Sequence, residues 1–100
     1  MKITIPGTLP TLNEVIAANR SHLHAGAQQK REAEEMIGWC LVGVKPVRSP
    51  FDVRCVWYRD NARSDPDNIA AGLKFVLDAL QRHGIIEGDG WKHVAGITHE

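Results

Sequence analysis

Cysteine is scarce in this chain. Cys40 and Cys55 are its only two, both in apolar surroundings and neither with a second cysteine at zinc-site spacing, so they are expected as buried thiols. No apolar run approaches the roughly 20 residues needed to cross a bilayer. The charged-then-apolar layout of a signal peptide is also missing, so a cytoplasmic location with no membrane partner is expected. There is no net charge either. The 12 basic residues balance the 12 acidic ones, and any attraction to nucleic acid has to come from local clusters rather than from the whole-molecule field. His22, His24, His83, His93 and His99 are scattered without the paired helical spacing of a metalloprotease, which argues against zinc catalysis.

What is present suits one folded domain over residues 1–100. Apolar residues make up 43% and charged residues 24%, ordinary values for a globular protein. A chain of this length buries only about two thirds of its unfolded surface, so support from a partner subunit is plausible on size alone.

Alternation of Ile3 and Ile5 with Lys2 and Thr4 predicts a half-buried strand over Met1 to Pro6. After the loop containing Pro10, a short helix is expected from Leu12 to about Ala18, then a loop over Asn19 to His24. Ala33, Met36, Ile37, Cys40, Leu41 and Val44 recur at helical spacing and predict an amphipathic helix from about Ala25 to Gly43. Phe51, Val53, Cys55 and Trp57 alternate as a strand. Asp65 suits an N-cap, Pro66 the first helical position and Gly84 a C-terminal stop, which predicts one helix to about His83. Trp91 to Thr98 alternates as a last strand. The order is therefore β-α-β-α-β, an α+β fold in two layers with a small mixed sheet packed against helices.

The richest chemistry lies in Arg63-Ser64-Asp65-Pro66-Asp67-Asn68, where two carboxylates stand one residue apart at the mouth of a helix. Glu87-Gly88-Asp89 follows that helix. Hard divalent cations take oxygen ligands and often keep waters and substrate phosphates in the remaining positions. Acids at the two ends of one helix-and-return unit thus suit metal-assisted phosphodiester chemistry, with Asp65, Asp67 and Asp89 as ligands and Lys74 on a phosphate oxygen. On a continuous helix Asp67, Lys74 and Asp78 share one face. Without metal such a gathering of acids should be electrostatically strained. The same residues also suit plain structural work: Asp65 as a cap, Asp67 beside the helix dipole, Asp89 in a turn, Lys74 and Asp78 in solvent.

Arg54, Arg59, Arg63, Lys74 and Lys92 flank the acids, and Arg20, His22, His24, Lys30 and Arg31 lie around the loop after the first helix, so both regions are candidates for phosphate contacts. Trp39 and Trp57 are assigned to the core. Trp91 is left open between core and base stacking, and His93, across the return from Asp89, between substrate contact and a structural role.

Asp65-Pro66-Asp67-Asn68-Ile69, Leu77-Asp78-Ala79-Leu80, Gly84-Ile85-Ile86-Glu87-Gly88-Asp89 and the early Pro10-Thr11-Leu12-Asn13 together resemble the RusA family of Holliday junction resolvases. That resemblance implies a RusA-like fold and a homodimeric endodeoxyribonuclease that nicks four-way DNA junctions in recombination and repair, frequent in prophages. It also implies Mg²⁺, with Mn²⁺ able to substitute. Asp65, Asp67 and Asp89 match the family's metal-binding acids and Lys74 its helix lysine, with Arg63, Asn68, Lys74, Lys92, Lys30 and Arg31 as the expected DNA contacts. Two departures stand out. Ala71 occupies the place of the family's lysine, one turn before Lys74, and Gly88-Asp89 replaces a pair of adjacent aspartates, leaving Glu87 as an extra candidate ligand. The alternative is a catalytically silent junction-binding or assembly module of the same fold.

Overall fold

Thr11 begins the first helix by exchanging hydrogen bonds with Glu14. Its hydroxyl accepts from the Glu14 N–H while the Glu14 carboxylate accepts from the Thr11 N–H, a capping box that satisfies two otherwise orphan donors. In the computed structural model, which describes residues 1–22, 24–59 and 63–100, this helix, α1, runs Leu12–Ser21. α2 follows at Ala25–Cys40, then strand β1 at Phe51–Cys55, helices α3 at Pro66–Ala70 and α4 at Leu73–Arg82, and strand β2 at Val94–His99. The fold is α+β.

β1 and β2 pair in parallel, with Val53 opposite Ile97 and a register irregularity between Phe51 and Asp52. Pairing continues past the strand ends, since Trp57 N–H donates to the Glu100 carbonyl and Glu100 N–H to that of Cys55. Parallel strands need a long crossover, and α3 and α4 supply it. The core lies between α2, α4 and the sheet, where Ala33, Ile37 and Leu41 meet Leu73, Phe75, Leu77, Ala79, Ile85 and Ile86. Gly84, at φ +73, turns the chain off α4 as its sequence position suggested.

Four expectations need correction. Met1 to Pro6 is not a strand: Ile3 and Ile5 do pack against the core, but the segment pairs with neither strand, so the sheet formed by the described residues is parallel rather than mixed. Asn19 to Ser21 complete α1 rather than start a loop, and Leu23 lies outside the described residues. α2 ends at Cys40, and the chain turns through Gly43 at φ +80. The helix expected from Pro66 to His83 is broken at Ala71–Gly72. There Gly72 N–H bonds back three residues to Ile69, and the Gly72 backbone fits so closely against Leu9 and Trp57 that an added Cβ would lie 3.2–3.3 Å from them. Asp67 and Lys74 therefore belong to different helical segments.

Trp39 also departs from expectation. It is 76% exposed at the outer face of α2, whereas Trp57 is half-buried against the core. Cys40 and Cys55 are free and half-buried, and burial pushes the Cys55 thiol up. No helix among the described residues is long and apolar enough to cross a membrane.

Candidate functional site

Pro66 opens α3 from the first helical position, where its missing N–H costs nothing and its fixed φ already fits. Asp65 holds the extended N-cap backbone expected of it, φ −67 and ψ 153, and its carbonyl accepts from Ile69 N–H at 3.1 Å. Its side chain makes no capping bond and stays in solvent. Asp67 is exposed too, with Oδ1 accepting from Asn68 N–H at 3.0 Å. The Asn68 side-chain oxygen accepts from Asn13 N–H at 2.9 Å. This bond ties the first turn of α1 to the acidic segment, joining two motifs that are 55 residues apart in the sequence. Asn68 thus braces the site's backbone.

On the next helix, the Lys74 ammonium lies 2.9 Å from Asp78 Oδ1, one turn on, and 3.1 Å from Asp89 Oδ2 in the return after α4. Hydrogen bonds to Asp78 and then Asp89 hold the lysine's pKa above its usual 10.5, so it is fully charged at neutral pH. The strain expected of a metal-free acidic site is thereby relieved at Asp89 by an internal cation. Lys74 was expected on the same helix face as Asp67 and Asp78, reaching a phosphate oxygen; its neighbours here are Asp78 and Asp89.

The line of charge continues beyond Asp78. Lys30 on α2 lies 3.5 Å from Asp78 Oδ2 and 3.9 Å from Glu34, and Arg82 Nη1 lies 2.8 Å from Glu34 Oε2. Together with Gln81 these residues line an open groove of about 600 Å³ between α2 and α4. Glu34 is the residue sequence reasoning missed. It lies outside the apolar spacing that predicted α2, yet it is 5% exposed. The spacing Lys30–Glu34, like Lys74–Asp78, is an i,i+4 pair readable in the sequence, but which member would be buried depends on α4 lying across it. A buried carboxylate left without its partner is costly. Because Arg82 is largely exposed and Lys30 remains near, Arg82→Ala is expected to lower stability by about 1–2 kcal/mol. Glu34→Gln in the same background should recover part of that, measured as the urea midpoint of each variant.

Arg63, Arg31 and Lys92 are exposed. Arg31 and Lys30, adjacent in sequence, lie on α2, with Lys30 turned into the groove. His93 does not reach Asp89 by any hydrogen bond seen here. It pairs Nδ1 with Ser49 Oγ at 2.8 Å, and its ring presses on the Gly88 backbone. Glu87 is exposed.

Among the described residues no three His, Cys, Asp or Glu side chains form a group placed to hold a metal ion, so the structure does not gather Asp65, Asp67 and Asp89 into one cluster. The donor chemistry nevertheless suits a hard dication. Mg²⁺ is usually bound through one or two carboxylates with waters and substrate phosphates in the other positions, and Asp65 and Asp67 offer carboxylates open to solvent. No family model, curated protein or solved structure matches the chain.

Proposed function

We propose that the chain is a Mg²⁺-dependent, structure-selective endodeoxyribonuclease acting as a homodimer on four-way DNA junctions. The resemblance to the RusA family supports this reading. The observation that carries it furthest is the contact between Lys74 and Asp89, which ties the start of α4 to the acidic return that follows the helix. Lys74 stands one turn later than the resemblance implies, and it still reaches the acid of the return.

A bound Mg²⁺ would lower the pKa of a water and offset charge developing on the scissile phosphate. Asp65, Asp67 and Asp89 would hold it. Lys74, charged and between two carboxylates, has an exposed ammonium that would leave Asp89 for a phosphate oxygen while keeping Asp78. Asn68, fixed by Asn13, keeps the backbone of the acidic segment from shifting as a substrate is drawn in. A two-fold pair of such sites suits paired nicks across a branched junction.

A second reading, a silent junction-binding module of the same fold, is favoured by one observation: the three acids stand apart while Asp89 is already neutralised by Lys74. One assay separates the two, using a synthetic four-way junction and a matched linear duplex, each with Mg²⁺ and with chelator. Paired nicks in the junction only, dependent on Mg²⁺ and restored by Mn²⁺, are the expected result. Equal junction binding in both buffers with no cutting in either would establish the silent module instead.

A further inference from the structure

Trp91 is 97% exposed, the most exposed of the large apolar side chains among the described residues. An aromatic of this size usually buries about 150–250 Å², so full exposure leaves a large apolar surface facing water. Its backbone, by contrast, is held on both sides. His93 and Val94 N–H both donate to the Gly90 carbonyl at 3.0 Å, and Phe51 N–H donates to the His93 carbonyl at 2.9 Å. Ser49 Oγ bonds His93 Nδ1 at 2.8 Å, and the His93 ring packs so tightly on Gly88 that an added Cβ there would come within 2.6 Å of it. At Gly90, between Asp89 and the tryptophan, an added Cβ would meet nothing within 4 Å. The turn is thus a fixed pedestal with an open approach and an unoccupied ring.

Exposed cations lie on the same turn and on the segment bonded to it. Lys92 is the next residue and is exposed, and exposed Arg48 directly precedes Ser49, the residue that anchors His93. An exposed ring on a turn that also carries exposed cations suits the alternation of base and phosphate in an unpaired strand, where stacking is tolerant of base identity and the phosphates are tracked by charge. An apolar protein partner would leave those cations without a counterpart.

We infer that Trp91 stacks on an unpaired nucleobase at a DNA branch point, with Lys92 and Arg48 on the flanking phosphates. The inference rests on the reading that the Asp89 return faces DNA. Trp91 is then the residue that distinguishes branched from continuous duplex DNA, since a fully paired helix offers no free base face.

The test is binding to a four-way junction and to a linear duplex of the same sequence, in chelator so that nothing is cut, for the full chain, Trp91→Ala and Trp91→Phe. Trp91→Ala is expected to weaken junction binding on the order of 10-fold with duplex binding unchanged. Trp91→Phe should keep most of the affinity while losing part of the junction-induced tryptophan quenching. Equal junction binding by Trp91→Ala, an equal loss on junction and duplex, or a shift of Trp91→Ala from dimer to monomer in sedimentation would each overturn the inference; the last would mean that a second copy covers the ring. Trp91-dependent junction binding by a chain that never cuts in Mg²⁺ would overturn the nuclease reading alone. Metal-dependent cutting with no effect of Trp91→Ala would overturn the stacking alone.

Discussion

Asp67→Asn is expected to lower junction cleavage on the order of 100-fold or more while changing junction affinity by no more than a few-fold. The substitution isolates charge from shape. Asp67 is exposed and its side-chain Oδ1 accepts a hydrogen bond from Asn68 N–H, a role that an amide oxygen fills equally well. Its melting temperature should therefore match that of the parent, and the circular dichroism spectrum should be unchanged. What is lost is a unit negative charge, and a neutral amide holds a hard dication far less well than a carboxylate does. Single-turnover cleavage and equilibrium binding, measured on the same junction, separate the two effects. An Asp67→Asn protein that cuts at the parental rate would remove this residue from the site and shift the chemistry to other acids.

Ile37→Ala is expected to cost about 2–5 kcal/mol, a substantial share of the 5–15 kcal/mol typical of a whole domain. Ile37 is 0% exposed and sits where α2 meets α4, in the cluster with Leu73, Leu77 and Ala79. Truncation removes the burial free energy of three carbons and leaves a void that a core bounded by two helices and a sheet can only partly close. The melting temperature should fall by about 10 °C or more, with the dependence on urea unchanged because the surface exposed on unfolding is nearly the same. A drop under 0.5 kcal/mol would mean that the helices are not packed through this residue. A matched change on the surface, such as Val42→Ala at an exposed position after α2, should be close to neutral.

Local chemistry was legible in the sequence wherever it acts locally. Pro66 opened its helix, Gly84 ended one, and the alternation of Phe51, Val53 and Cys55 marked β1. Ile3 and Ile5 point inward as their spacing suggests, but a strand also needs a neighbour, and periodicity says nothing about whether one is there. Trp39 illustrates the same limit. Its aromatic bulk suggested core, yet it lies on the side of α2 that no element covers. The break at Gly72 was hidden because each half of the Pro66–His83 stretch is a good helix by itself; the interruption comes from Leu9 and Trp57 meeting the backbone, residues far away in the sequence. At the site, Asp65, Asp67 and Asp89 could be named from the motifs. That Lys74 would turn to Asp89, and that Glu34 would be buried under Arg82, depended on how α4 lies across α2 and on where the return comes back. The T-x-x-E pattern at Thr11–Glu14 is a local signal that the reading of the sequence passed over, and it marks the start of α1.

The parallel pairing of β1 with β2 bears on the order in which the molecule assembles. Phe51 and Val94 are roughly 40 residues apart along the chain, so their union carries a loop-closure cost, and α3 and α4, which lie on that path, shorten it once they form. Asp89 lies on the last stretch of that path, just before β2. Lys74 is in place as soon as α4 forms, whereas its acidic partner arrives only when the return after α4 folds back toward the helix. A nascent or partly unfolded chain therefore carries the lysine without the aspartate, and the electrostatic centre of the site exists only in the finished fold.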